Sequence, residues 1–67
     1  MQKEGDLVLL LDKKGKKYLI SLKKGGVFEF HRGKVLHEEI LKKRVGESVE
    51  SSKGEKLLIL KPTLEDF

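Results

Sequence analysis

Residues 5–22 read GDLVLLLDKKGKKYLISL, and the fold of this chain turns on them. Five apolar residues, Leu7 to Leu11, follow a Gly-Asp pair and stop at Asp12. At strand periodicity Val8 and Leu10 share one face, and Leu7, Leu9 and Leu11 share the other. Such a strand is apolar on both sides and calls for cover on both. DKKGKK is a short polar connection carrying Gly15, after which KYLISL resumes the extended pattern with Tyr18, Ile20 and Leu22 on one face. The stretch is a hairpin.

The same grammar continues outward. KKGG, with Gly25 and Gly26, is a second turn. VFEFH follows, placing Phe28 and Phe30 on one face and Glu29 and His31 on the other, and RGK turns the chain into Val35 and Leu36. HEEILKKRVG breaks the period of two: its acids precede its bases, Leu36, Ile40 and Leu41 fall at helical spacing, and Gly46 stands where a helix would stop. ESVESSKGEKLLIL reads as two strands joined across SSKG, the second apolar on both faces from Leu57 to Leu60, and Pro62 ends the pairing. The expected fold is mainly β. It is a small barrel-like or strongly bent antiparallel sheet of five to six short strands, with one short helical turn.

At 67 residues the chain is one small domain, 1–67, and a core of this size is marginal. With no cysteine there is neither a disulfide nor a thiolate metal site to staple it. The apolar run near the N-terminus is far shorter than the roughly 20 residues a membrane helix needs, and no signal-peptide h-region is present. The expectation is a cytoplasmic protein with no membrane partner. Charged residues make up 39% of the chain, mostly Lys and Glu, a balance associated with thermophile proteins.

The net charge of +4 is unevenly spread. Residues 13–44 hold eleven Lys or Arg against three acids, a surplus of +8, while residues 1–12 and 45–67 each sum to −2. A basic middle between acidic ends is the pattern of a polyanion footprint.

Searches for chemistry return little. HEEIL has Leu41 where a zincin would need its second histidine, and His31 and His37 lie on different elements, so they read as surface or turn histidines and no metal is expected. Gly-Lys occurs without the spacing of a phosphate-wrapping loop. Ser48, Ser51 and Ser52 sit in or beside a hairpin, and the carboxylate pairs Glu38–Glu39 and Glu65–Asp66 are adjacent residues that point apart. No catalytic set assembles, so the isolated chain is not expected to be an enzyme and no residue is assigned a catalytic role. The lysines remain. Lys13, Lys14, Lys16 and Lys17 crowd the first hairpin turn, and Arg32 and Lys34 flank the third. These six are the candidate phosphate contacts. Alternate turns of a small barrel lie at opposite ends, so these six cannot all form one patch with Lys23, Lys24 and the Lys42–Arg44 run. Tyr18, Phe28 and Phe30 could stack bases, but their strand positions favour the core.

Three pieces in order, GDLVLLLDKKGKKYLI, then HRGKVLHEEILKKRVGESVESSKG, then LLILKPTLEDF, give the chain a wider resemblance. From Glu4 onward it resembles the N-terminal domain of the archaeal and bacterial tRNA adenine-N1 methyltransferases that modify the T-loop. LKKRVG is more basic than the family's usual stretch there. The resemblance implies that KPTLEDF, 61–67, starts a linker toward a Rossmann-like methyltransferase domain holding the S-adenosylmethionine site and the catalytic acid. It implies no cofactor in this chain itself, tRNA and the methyltransferase domain or other subunits as partners, and a homo-oligomeric enzyme. The Gly-Asp-then-strand pattern is also shared by free-standing SH3-like or KOW-like barrels that bind RNA or a protein. A pure oligomerisation domain, basic only for solubility, is the third reading.

Overall fold

Leu10 shows why the first strand must be covered. In the computed structural model, which describes residues 2–67, its side chain is fully buried, with Tyr18 and Ile59 as its cross-strand neighbours. Strands β1 (Leu7–Leu11) and β2 (Lys17–Ser21) form the expected antiparallel hairpin. β3 (Val27–Phe30) and β4 (Gly33–Leu36) form a second. After a single helix, α1 (His37–Leu41), come β5 (Ser48–Glu50) and β6 (Lys56–Leu60). β6 returns beside β1, giving a four-stranded antiparallel sheet in the order β2-β1-β6-β5, with β3-β4 as a separate two-stranded sheet. A 3-10 turn at Leu64–Asp66 closes the chain.

The two sheets enclose one core, built from Val8, Leu10, Leu22, Val35, Ile40, Val49, Leu57 and Ile59, with Tyr18, Ile20, Phe28, Phe30 and Leu41 packed around it. Both gaps between the sheets are bridged without a continuous ladder. On one side Tyr18 of β2 meets Phe28 and Phe30 of β3 at ring separations of 5.3 and 5.4 Å. On the other, the backbone N–H of Ser52, just past β5, donates to the carbonyl of Lys34 in β4 at 2.9 Å. The result is the expected mainly β architecture: barrel-like in the order of its strands, open in its hydrogen bonding.

The second face of β1 is covered as well. Leu9 points away from Val8 and Leu10 yet is only 4% exposed, flanked by Leu19 and Leu60 at its own level. The 61–67 segment folds back toward this face, since Asp66 reaches Lys17 at the start of β2, 3.6 Å away. A capping box fixes the segment's turn: the Thr63 N–H and hydroxyl both donate to Asp66 Oδ2, at 2.8 and 3.1 Å. Leu7, Leu19, Leu64 and Phe67 remain exposed.

Two expectations are corrected here. The expected short helical turn forms as α1, but it does not use Leu36, which ends β4 exposed. Its inward residues are Ile40 and His37. His37 is therefore no surface histidine. It is buried, it accepts a hydrogen bond at Nδ1 from the backbone N–H of Lys23 at 3.2 Å, and a methyl group at Gly26 would overlap its ring. Its polar neighbours Glu38 and Glu39 disguised an inward position whose cover comes from a turn eleven residues upstream.

Burial holds the His37 pKa below its ordinary value, and the positive charge of Lys23 adds to the effect. The folded state thus binds this proton less readily than the unfolded chain. The stability His37 contributes is complete above the unfolded value of about 6.5 and is lost as pH falls toward the depressed folded value. Asp12 and Asp66, both lowered from 3.8, release their contributions only in stronger acid. Thermal melts are expected to be flat from pH 8 to 7 and to fall as the pH drops below about 6.5. A His37→Gln variant is expected to lose that slope; the same slope in the variant would assign it to another group.

Candidate nucleic-acid interface

Register decides which turns share an end. Leu11 pairs with Lys17 and with Leu58, and Glu50 pairs with Lys56, so the 12–16 and 51–55 turns leave the four-stranded sheet on the same side. The 31–32 turn joins them: the Ser51 hydroxyl donates to the Arg32 carbonyl at 2.8 Å, and Arg32 Nη1 lies 3.3 Å from Glu55 Oε1. All six lysines and arginines proposed from sequence sit at this end. Lys24 and Lys42 lie at the other, where they line a groove of mixed charge with Gln2, Lys3, Glu4, Glu38 and Leu41.

The first turn is built on Asp12. Its buried carboxylate accepts the backbone N–H groups of Lys14 and Lys16, both at 2.9 Å, and the Tyr18 hydroxyl approaches to 3.4 Å. Burial alone would raise this carboxyl, but those donors and the charge of Arg32 outweigh it and hold Asp12 below the usual carboxylate range. Gly15 takes φ +84° to close the turn, a conformation open to glycine at little cost. Because Asp12 spends its charge on backbone donors, Lys13, Lys14 and Lys16 project from the tip without an ion-pair partner among the described residues. Lys16 Nζ stands 5.5 Å from the Tyr18 ring centre.

The other three candidates are engaged. Lys17 pairs with Asp66, and Lys34 lies 4.0 Å from Glu29. Arg32 is half-buried, held between Glu55 and the ring of His31, to whose Nε2 its Nε donates at 3.2 Å. Exposed pairs such as Lys34–Glu29 exchange readily with solvent and are weak. The Arg32 pair is sheltered and serves as a brace between turns.

Sequence reasoning passed over two cations at this end, Lys53 in the 51–55 turn and Lys56 at the start of β6. SSKG reads as ordinary turn composition, and its position relative to the other tips follows only from β6 returning beside β1. Lys56 and Lys13 line one groove with Leu11, Asp12, Ser48 and Leu58. Tyr18, Phe28 and Phe30 are half-buried and packed on the core, Phe28 and Phe30 stacked and Tyr18 meeting them edge-on or tilted, which makes them walls of this end. Among the described residues no three His, Asp or Glu side chains are close enough to hold a metal ion, and no helix is long and apolar enough to cross a membrane.

Comparison with known proteins agrees with the resemblance carried by the ordered sequence pieces. Over 60 residues the chain is 45% identical to the tRNA (adenine(58)-N(1))-methyltransferase TrmI of two strains of Thermus thermophilus. The match covers 90% of this chain and 24% of that enzyme, so the chain spans about a quarter of these relatives' length. A solved SAM-dependent O-methyltransferase from Thermotoga maritima superimposes with a TM-score of 0.93 and 35% identity, again over 97% of this chain and 24% of the other. Residues 2–49 match the TrmI-like N-terminal family model, and the chain belongs to that family.

Proposed function

We propose that this chain is the tRNA-contacting N-terminal accessory domain of a SAM-dependent tRNA (adenine-N1)-methyltransferase of the cytoplasm, and that it carries no catalytic step itself. The observation behind this reading is the gathering of unpaired lysines from separate turns at one end of a domain whose relatives include tRNA methyltransferases. Lys13, Lys14 and Lys16 are the principal phosphate contacts. Lys17 and Lys34 join them once their pairs open to the stronger field of an RNA backbone, and Arg32 adds its charge from within its brace with Glu55. Their work is charge neutralisation and positioning, which fixes where the RNA lies without reading its bases. The S-adenosylmethionine site belongs to the methyltransferase domain to which residues 61–67 lead. The exposed Leu64 and Phe67 are where that domain or another subunit of an oligomer makes contact.

A Lys13→Glu/Lys14→Glu double variant tests the assignment by fluorescence anisotropy with unmodified tRNA. Affinity is expected to fall at least about tenfold at low salt, and the salt dependence to flatten by roughly 0.7–0.9 in log–log slope per lost contact. Unchanged affinity and slope would remove this turn from the interface.

A further inference from the structure

We propose that the 51–55 turn is a third phosphate-contacting tip, with Lys53 as its contact and Ser51 as the residue that positions it. The proposal rests on the RNA-binding reading of this end and adds residues to it. Ser51 is buried, and its hydroxyl is fully used: it accepts the backbone N–H groups of Lys53 and Glu55 at 3.2 and 3.1 Å and donates its proton to the Arg32 carbonyl, nineteen residues away. The first two bonds shape the turn. The third belongs to no local turn chemistry, because it ties this tip to another hairpin.

Ser52 repeats the arrangement. Its N–H donates to the Lys34 carbonyl, while its hydroxyl accepts the Lys34 N–H at 3.0 Å. The backbones come so close that a Cβ on Gly33 would sit 2.9 Å from both serine hydroxyls and 3.0 Å from the Lys53 nitrogen. Lys53 is thereby held at a fixed place beside Arg32 and Lys34. It is exposed, and no carboxylate lies within ion-pair distance of it among the described residues. A cation fixed at its base but free at its tip suits the regularly spaced phosphates of an RNA strand, where the entropy lost on binding is smallest for a preorganised group.

The test measures salt slopes of unmodified tRNA binding by anisotropy for four variants of this chain: Lys53→Glu, Ser51→Ala, Ser51→Thr and Lys13→Glu/Lys14→Glu. Lys53→Glu is expected to reduce the slope by about 0.7–0.9, one contact's worth. Ser51→Ala is expected to reduce it in the same direction and Ser51→Thr, which keeps the hydroxyl, to restore it. A variant that merely destabilises the fold lowers the active fraction and leaves the slope of the folded fraction intact, so the slope separates positioning from stability. A normal slope for Lys53→Glu, with the Lys13/Lys14 variant reduced, would overturn the third tip and leave the RNA-binding reading standing. A reduced slope for Lys53→Glu with a normal one for Ser51→Ala would overturn the positioning role. Normal slopes in all variants would overturn the reading of this end altogether.

Discussion

Gly33→Ala is expected to destabilise the domain by about 2–6 kcal/mol and to loosen the end where the three turns meet. Gly33 opens β4 with φ +121°, a conformation that costs an L-residue roughly 1–3 kcal/mol. The added methyl would also press on the hydroxyls of Ser51 and Ser52 and on the backbone nitrogen of Lys53. Relief requires the two turns to part, which breaks the Ser51–Arg32 and Ser52–Lys34 bonds together. Overpacking of this kind adds about 1–3 kcal/mol. Circular-dichroism melts read the total. Gly54→Ala is the informative contrast, since it shares a positive φ but has nothing within 4 Å of the new methyl. It should cost only the backbone term. Equal losses in the two variants would show that the close approach of the turns contributes nothing.

Leu10→Ala is expected to cost about 2–5 kcal/mol, the range for emptying a fully buried leucine site. Leu10 sits in the middle of the central strand, and its neighbours Tyr18 and Ile59 lie on the strands either side, so no single element can collapse into the gap. A domain of this length has a total stability of roughly 3–10 kcal/mol, and the loss should lower Tm by some 10–30 °C. Leu64→Ala, at a side chain 93% exposed, should change stability by no more than about 0.5 kcal/mol. If the two cost the same, Leu10 is not the core residue its burial makes it.

The parity of β1 was legible in the sequence, because a run of five apolar residues leaves only one strand alternation and Asp12 with Gly15 marks where it ends. The hairpins 7–21 and 48–60 were legible for the same reason, as was the single helical interruption. The inward turn of His37 was not. The HEE pattern looks solvated, and the space that buries the ring exists only because Gly26, on another turn, lacks a side chain. The shared end of three turns was half legible. The meander puts the first and third turns on one side. That Lys53 stands with them follows from β6 returning beside β1, a pairing reinforced by bonds from Ser51 and Ser52 to residues nineteen and eighteen positions away, which no local pattern announces. Ion pairing was also hidden: nothing in DKKGKK separates Lys17, paired with the distant Asp66, from the three lysines left free.

The central claim is that this end of the domain meets RNA through phosphates. A salt titration of the 67-residue chain binding unmodified tRNA, followed by fluorescence anisotropy, tests it most directly. Three to seven contacts predict a log Kd that rises linearly with log salt at a slope of about 2–6. Absence of binding at low salt, or binding indifferent to salt, would contradict the account and leave this end of the domain as a braced structural edge.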